Sequence, residues 1–274
     1  MRRFDLKARK RLGQHFLVDE TVLQRIVSAA EITPADTILE IGPGLGILTR
    51  EMAGRAGRVI AVELDNRLAA ILKQTLAPLT NVTIINDDIL QLDPATLLTG
   101  PTAYKVVANL PYYITSPVLR HLLEASARPE IMILMVQKEV AQRIAAAPGR
   151  RSLLSISVQY YGNPRIIDIV PAESFHPAPE VDSAILRIDV YPRPAVTVSD
   201  EKGFFDLVRG GFTASRKQIA NSLAQGLAMD KPAVVALLDR AGIQPQRRAE
   251  TLTLEEWAEL WRVFSGAKEG KTAC

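Results

Sequence analysis

The sequence predicts an α/β fold, in which a mainly parallel sheet is covered by helices and is followed by a small all-helical domain. Three observations support this prediction. Short apolar runs alternate with helix-like segments over the first two-thirds of the 274 residues. A glycine-rich turn joins the first such strand-like run to a helix-like segment. After about residue 200 only helical periodicity remains. Strands that alternate with helices form parallel sheets with helices on both faces.

The predicted strands are short apolar runs bounded by polar or glycine-containing segments. Five are predicted at 37–41, 58–64, 81–87, 104–109 and 130–137, and three later ones at LSISVQYYG, RIIDIV and SAILRIDV. The helices between them are predicted at ILTREMAGRAG, from Asn66 to about Leu79, at SPVLRHLLEAS with its Ser-Pro start, and at KEVAQRIAAA.

The change of pattern near residue 191 suggests the domain boundaries. We expect residues 1–190 to form an N-terminal arm and the sheet domain, and YPRPAVTVSD (191–200), with its two prolines, to be a linker. Residues 201–274 are predicted to form the helical domain, built from FFDLVRGGFTA, RKQIANSLAQGL, KPAVVALLDRAG and LEEWAELWRVFSG.

Composition argues against several classes of protein. No apolar run approaches the ~20 residues that span a bilayer, and we recognise no secretion signal, so we expect a cytoplasmic protein with no membrane partner. A single cysteine, Cys274, and three scattered histidines predict neither an internal disulfide nor a metal site.

The basic residues are clustered, although the net charge is only +3. Six Lys or Arg residues stand against one Asp before Leu12. Further pairs are Arg150-Arg151, Arg216-Lys217 and Arg247-Arg248. One such cluster is usually a solvated surface, but several favour a polyanionic partner such as a nucleic acid.

The turn EIGPGLG, Glu40 to Gly46, follows a predicted strand and opens a predicted helix. Glycines such as Gly42 and Gly44 let a ligand approach the backbone closely, and the helix N-terminus offers free N–H groups. A dinucleotide site requires Gly or Ala at the sixth position from Gly42, where this chain has Ile47. The remaining pattern, E-x-G-x-G-x-G, is typical of S-adenosylmethionine-dependent methyltransferases. We therefore predict the Rossmann-like sheet of a class I methyltransferase.

Acidic residues follow the next two predicted strands. Glu63 is placed to accept both ribose hydroxyls of the cofactor, and Asp88 is the candidate acceptor for its adenine amine. Asp65 is interpreted as a solvated helix cap, and Asp87 as an ordinary loop residue. In open α/β sheets such strand ends line one ligand crevice.

The fourth strand ends in Asn109-Leu110-Pro111-Tyr112. The Asn109 side-chain oxygen and the Leu110 carbonyl can accept both N–H bonds of an adenine amine and so direct its lone pair toward a methyl donor. Pro111 fixes the backbone, and Tyr112 can stack on the flipped base. Phe175, in SFHPAPEVDS, is the candidate second aromatic, with His176 as a less favoured partner. The alternative for Phe175 is a place in the core.

With these residues in place, the sequence resembles the rRNA adenine N6,N6-dimethyltransferases, the KsgA/RsmA group. The matching segments, in order, are RKRLGQHFL, EIGPGLGILT, VIAVELD, NDDIL, NLPYYI, RRSLLSISVQYY, SFHPAPEVDSAILRI and FFDLVRGGFTASRKQIANSL. The resemblance implies dimethylation of two adjacent adenosines in the hairpin loop near the 3′ end of 16S rRNA, on the pre-30S subunit, late in assembly. It also implies that His15 and Leu17 contact S-adenosylmethionine.

This chain departs from the family pattern at two positions. Some members have Asn in place of His15, which a backbone contact to the cofactor would tolerate. TASRK has Ser215 where a second arginine is more usual, which weakens a phosphate contact there. We expect the N-terminal arm and the Arg150-Arg151 loop to flank the crevice and grip RNA, and the cations of the helical domain to add a second grip.

Three alternatives stay open. One is the antibiotic-resistance relative that dimethylates one adenosine of 23S rRNA, with the same fold and chemistry. Another is a DNA or protein methyltransferase with an NPPY-type motif, which leaves the basic clusters and the helical domain unexplained. The third is a non-catalytic ribosome-assembly factor, although Asn109, Glu63 and the glycines are all present. We expect a monomer.

Overall fold

The computed structural model describes residues 14–98 and 103–272, and the chain divides into two compact units. The first runs to Gln142 and adds Asn163–Pro192, and the second comprises Arg143–Gly162 and the chain from Arg193. Segment 143–162, expected in the sheet domain, therefore groups with the C-terminal helices. Its aromatic residues explain this, because the Tyr160 ring stacks on Phe204 and the Tyr161 hydroxyl donates to Glu201.

The prediction of an α/β fold is confirmed. The strands, which lie in the first unit apart from the first residue of β7, are β1 (Phe16–Leu17), β2 (Thr37–Ile41), β3 (Arg58–Glu63), β4 (Val82–Asn86), β5 (Tyr104–Asn109), β6 (Ile131–Gln137), β7 (Gly162–Val170), β8 (Phe175–His176) and β9 (Ser183–Val190). Seven of them form one sheet in the order β4-β3-β2-β5-β6-β9-β7. The pairs from β4 to β6 are parallel, whereas β9 runs antiparallel to β6.

Both faces of this sheet are buried. Neighbouring strands contribute Ile38, Val59 and Val107 to one core cluster, which includes residues of helices α1 (Glu20–Ala29) and α2 (Ile47–Ala53). The residues one position along, which point to the opposite face, are equally inaccessible: Leu39 and Ile60 are 0% exposed. Burial on both faces explains why these strands are continuous apolar runs. The remaining helices here are α3 (Asn66–Thr75), α4 (Pro94–Leu97), α5 (Thr115–Leu123) and α6 (Lys138–Ile144).

The prediction of a strand at LSISVQYYG is wrong. Residues Leu153–Tyr161 form helix α7, and β7 starts only at Gly162. The helix begins with a capping box, in which the Ser152 hydroxyl accepts from the Ser155 N–H and the Ser155 hydroxyl accepts from the Ser152 N–H. This reciprocal pair satisfies free donors at the helix start and overrides the strand preference of the β-branched and aromatic residues that follow.

The second unit is helical throughout its described part. After α7 it contains α8 (Glu201–Phe212), α9 (Ile219–Gly226), α10 (Lys231–Arg240) and α11 (Leu254–Thr272). Its core includes Trp257, Phe204 and Leu238, each 0% exposed. None of the helices in the described ranges of either unit is long and apolar enough to cross a membrane.

Candidate active site

A cavity of about 250 Å³ lies in the first unit, where the parallel strands β2 to β5 end. Ten of the eleven predicted site residues line it: His15, Leu17, Gly42, Gly44, Glu63, Asp88, Asn109, Leu110, Pro111 and Tyr112. Residues far apart in the chain meet here because parallel strands in register end at the same edge of a sheet.

The glycine turn brings backbone close to the cavity. Gly42, Gly44 and Gly46 all have positive φ, a conformation that side chains other than glycine rarely adopt. A Cβ atom on Gly44 would lie 3.2 Å from the Phe16 ring, which also lines the cavity. The turn is therefore shaped for close approach, and Phe16 is a cavity residue that the sequence reading did not select.

Glu63 is a buried carboxylate that organises this turn. Its Oε2 accepts from the Gly44 N–H (3.1 Å) and its Oε1 from the Asp65 N–H (2.9 Å). Burial raises the pKa of Glu63, and these two backbone donors oppose the rise. Asp65 caps α3 by accepting from the Arg67 N–H, as predicted, but at 4% exposed it is buried rather than solvated.

Glu40 is a second buried acid on the cavity, and sequence reasoning gave it no separate role. It is 1% exposed, and its Oε2 has no hydrogen-bond partner among the described residues. Burial raises the pKa of Glu40 to about 8, with a contribution from the nearby Glu63 carboxylate, while the Thr49 side chain opposes the rise. This unpaired oxygen leaves one hydrogen-bonding position of Glu40 open beside the cavity.

Asp88 lies at the end of β4 on the cavity, as predicted. Its Oδ1 accepts from the Leu90 N–H (3.0 Å) and so caps the short 3₁₀ turn Ile89–Gln91. Asp87 also lines the cavity, and its Oδ1 accepts from the Asp88 N–H (2.8 Å). Asp87 lies in a loop, as predicted, and this loop also forms part of the cavity wall.

The amide of Asn109 is held in a defined orientation. Its Nδ2 donates to the His15 carbonyl oxygen (3.0 Å). Because one edge of the amide is engaged as a donor, the Oδ1 atom remains as the acceptor. Leu110 follows with its N–H donating to the Met135 carbonyl (3.2 Å), and no described residue donates to the Leu110 carbonyl oxygen. Two adjacent acceptors thus remain for a ligand.

Tyr112 is fixed at both its ring and its hydroxyl. The ring stacks on His15, with centroids 5.8 Å apart and planes 20° apart. The hydroxyl shares a 2.8 Å hydrogen bond with that of Ser183, and burial raises the pKa of Tyr112. The His15 Nδ1–H in turn donates to the Pro177 carbonyl (2.7 Å). Tyr112 is therefore a preorganised aromatic surface.

Phe175 is the one predicted site residue that the structure does not bring to the cavity. It pairs with Leu17 in the two-stranded sheet of β1 and β8, is 3% exposed and belongs to the core cluster. The prediction that Phe175 closes the base sandwich is replaced by the core alternative. Leu17, its register partner, belongs to the same core cluster and also lines the cavity, as does Phe16.

The predicted basic clusters divide into exposed and engaged cations. Arg247 is tied to Glu256 and to the Thr251 carbonyl, and Arg151 donates to the Leu252 carbonyl (3.3 Å). Both arginines, which were predicted to contact RNA, thus have partners within the second unit. Exposed cations remain at Arg150, Arg216, Lys217 and Arg248, of which Arg248 lies 3.8 Å from a carboxylate oxygen of Glu250. The basic arm before Leu12 lies outside the described residues.

The described residues contain no group of three or more His, Cys, Asp or Glu that could hold a metal ion. Other cavity residues that sequence reasoning missed are Gln14, Ile47, Leu64 and Tyr113. Only their place in the sequence could have indicated them, because each is adjacent to a predicted site residue or to the glycine turn.

Comparison with known proteins gives consistent results. Residues 5–265 match the family model described as Ribosomal RNA adenine dimethylase. The chain is 51% identical over 265 residues to a "Ribosomal RNA small subunit methyltransferase A" of Dehalococcoides mccartyi, covering 97% of this chain and 91% of the relative. A protein of the same name from Moorella thermoacetica is 47% identical over 270 residues, covering 94% and 93%.

Two solved structures are similar. The 23S rRNA methyltransferase ErmE matches with a TM-score of 0.72 and 31% identity, over 91% of this chain and 99% of that one. A dimethyladenosine transferase from Plasmodium falciparum matches with a TM-score of 0.79, over 93% of this chain and 98% of that one. Its sequence identity is 23%, so this match supports the fold only.

Proposed function

Since the chain belongs to the ribosomal RNA adenine dimethylase family, we propose that it dimethylates two adjacent adenosines in the 3′-terminal hairpin loop of 16S rRNA. It is an enzyme, an S-adenosylmethionine-dependent methyltransferase that acts on adenine in ribosomal RNA. The small-subunit assignment is supported by relatives of 43–51% identity that carry a small-subunit name. We further propose that it acts on the pre-30S particle late in assembly, as a cytoplasmic monomer.

The residues around the cavity fit S-adenosylmethionine, which supplies a methyl group on a cationic sulfur. The positive-φ turn admits a ligand against Gly42 and Gly44, and Glu63 ends the neighbouring strand as a ribose acceptor. Glu40 adds a hydrogen-bonding carboxyl group beside the cavity, and Asp88 suits an adenine amine. His15 and Leu17 close the same cavity from the N-terminal segment.

Asn109 and Leu110 hold the adenine amine. Its nitrogen is a weak nucleophile because the lone pair is delocalised into the ring. Acceptance of both N–H bonds by the Asn109 Oδ1 and the Leu110 carbonyl favours a geometry in which that lone pair points at the methyl donor. Positioning of this kind supplies most of the rate enhancement. Once methylated, the nitrogen is strongly acidic, so its proton passes to water and no side-chain base is required.

Pro111 and Tyr112 complete the base site. Pro111 limits the backbone freedom on which the direction of the Leu110 carbonyl depends. The His15 ring stacks on one face of the Tyr112 ring, and the base is proposed to stack on the remaining surface of that ring. To reach Asn109, the base must first leave the RNA stack. The observation that carries the proposal is the Asn109 amide, oriented by His15 with its oxygen available at the end of β5.

The proposed binding partner is the small ribosomal subunit, which the protein would contact through ribosomal RNA. Arg150, Arg216, Lys217 and Arg248 are exposed cations in loops of the second unit. Hydrogen bonds bring these loops together: the Ile219 N–H donates to the Arg247 carbonyl (2.6 Å), and the Gly149 N–H to the Glu250 carbonyl (2.8 Å). Such a group of cations suits phosphates of an RNA backbone.

A second candidate is dimethylation of 23S rRNA, which the 31% identity to ErmE favours. One experiment separates the two. Labelled methyl transfer from S-adenosylmethionine is measured on unmodified 30S and 50S subunits, with wild type and Asn109→Ala, and the products are mapped. We expect N6,N6-dimethyladenosine at two adjacent 16S sites, and at least about a 100-fold loss in the variant. Label confined to 50S subunits would transfer the protein to the second function.

A further inference from the structure

Tyr113 presents an aromatic ring to solvent at the cavity. It lines the cavity next to Tyr112, yet it is 57% exposed, and its side chain makes no hydrogen bond or ring contact with the described residues. A single exposed aromatic residue is ordinary on a protein surface. This one, however, directly follows the segment that is proposed to hold the base.

The backbone prevents Tyr112 and Tyr113 from serving the same base. Residues Tyr112–Ile114 form a 3₁₀ turn, in which successive side chains point about 120° apart. Tyr112 is pinned by His15 and Ser183, whereas Tyr113 diverges from it toward solvent. A base that is stacked on Tyr112 inside the cavity therefore leaves the Tyr113 ring for a group outside it.

Tyr113 also belongs to the substrate side of the cavity. Two other exposed apolar residues line it, Ile47 at 42% and Leu64 at 50%. Ile47 follows the glycine turn and Leu64 follows Glu63, so both flank residues assigned to the cofactor. Tyr113 instead follows the segment assigned to the adenine. The group nearest to it outside the cavity is therefore RNA.

We propose that Tyr113 stacks on the nucleotide next to the flipped adenosine, and thereby holds the hairpin loop open. For two adjacent target adenosines, one of the two neighbours of the flipped base is the other target. This inference rests on the proposed function. Aromatic rings stack on single-stranded bases with little dependence on base identity, so Tyr113 serves as a binding surface for either adenosine in turn.

The test compares Tyr113→Ala, Tyr113→Phe and Tyr191→Ala on unmodified 30S subunits. Tyr191 is an exposed tyrosine (37%) of the same unit and is not part of the cavity. We expect Tyr113→Ala to raise KM for the 30S subunit by about 5- to 150-fold, the range of one base–aromatic stack, with KM for S-adenosylmethionine unchanged. Tyr113→Phe and Tyr191→Ala should resemble wild type.

Each of the other outcomes would contradict one part of the proposal for Tyr113. Wild-type KM in Tyr113→Ala removes the stacking role. Equal loss in Tyr113→Phe replaces stacking by a hydroxyl contact, and a raised KM for S-adenosylmethionine alone moves Tyr113 to the cofactor side. An active wild type in these cases leaves the proposed function intact, whereas a wild type inactive on 30S subunits overturns both. Thermal unfolding confirms that each variant is folded.

Discussion

Glu40 is a carboxylic acid whose burial makes stability depend on pH. Its pKa is raised from 4.5 to about 8, so between these pH values the folded protein keeps a proton that the unfolded chain has released. The folded state then binds more protons than the unfolded state, and stability falls as pH rises through this window, by at most about 1.4 kcal/mol per pH unit. Glutamine has no proton to release.

We therefore predict that Glu40→Gln, without cofactor, gains free energy of unfolding relative to wild type as pH rises from 5 to 8. Urea unfolding at several pH values measures this difference. Glu139→Gln, a change at an exposed glutamate of α6, is the control and should follow wild type. A constant difference between Glu40→Gln and wild type across the window would show that Glu40 is ionised at neutral pH in the folded state.

Substitutions of Tyr112 can distinguish what its aromatic ring contributes from what its hydroxyl contributes. Ser183 is 0% exposed, so Tyr112→Phe leaves its hydroxyl without the 2.8 Å partner and should cost about 1 kcal/mol of stability. The ring against His15 is retained, so methyl transfer should be largely preserved. Tyr112→Ala removes the ring, and kcat/KM for the 30S subunit should fall by about 5-fold or more.

Thermal unfolding and steady-state kinetics of both Tyr112 variants test this separation. Ser183→Ala is the matched control, because it removes the same hydrogen bond from the other side and keeps the ring. Equal losses of methyl transfer in Tyr112→Phe and Tyr112→Ala would assign the hydroxyl, rather than the ring, to the chemistry.

At the scale of elements, the sequence could predict those residues of the candidate site that lie at the ends of strands. The glycine turn, Glu63, Asp88 and Asn109 each end a strand or follow one closely, and parallel pairing brings such positions to one edge. Sequence alone was insufficient for Phe175, because a strand of two residues does not reveal which side faces the core. It also failed at α7, where a capping box outweighed β propensity.

The glycine turn has a measurable structural requirement. Gly46 has a φ of 74°, and a Cβ there would lie 2.8 Å from a Leu72 methyl group. Left-handed strain and overpacking together should make Gly46→Ala lose about 2–4 kcal/mol of stability. Gly54→Ala is the control at the other end of α2: its φ is −72° and its new Cβ would meet an ordinary contact at 3.7 Å.

Urea unfolding of the two glycine variants gives the comparison. Gly46→Ala should also bind S-adenosylmethionine more weakly, because its turn carries Gly44, whereas Gly54→Ala should bind as wild type does. If the two variants lost equal stability, the left-handed geometry of the turn would not be what requires glycine at position 46.

At the scale of the whole molecule, the two units differ in the features that the proposed function uses. The first holds the cavity with its buried acids and oriented amide. The second contributes a helical core and the exposed cations. The clusters of basic residues were visible in the sequence, but the sequence did not show which cations are exposed and which are bonded within the unit. Only the fold shows that Arg247 is half-buried and bound to Glu256, while Arg248, its neighbour, is exposed and only loosely paired with Glu250.

This division predicts how salt affects binding to the 30S subunit. Each cation that contacts a phosphate releases counterions and contributes about 0.7–0.9 to the slope of log K against log salt. Arg216→Ala and Arg248→Ala should each reduce the slope by about that amount. Arg262→Ala, a change at an exposed arginine of α11 that lies outside the loops with these cations, is the control and should leave the slope unchanged.

Arg247→Ala gives the opposite pattern. It breaks the ion pair with Glu256 and the bond to the Thr251 carbonyl, so it should lower the melting temperature, while the salt slope of the protein that remains folded is kept. Filter binding to 30S subunits at four salt concentrations, with thermal unfolding of each variant, measures both quantities. A slope that changed with Arg247 but not with Arg216 or Arg248 would move the RNA contact from the exposed cations to the ion-paired one, because a phosphate would then have displaced Glu256.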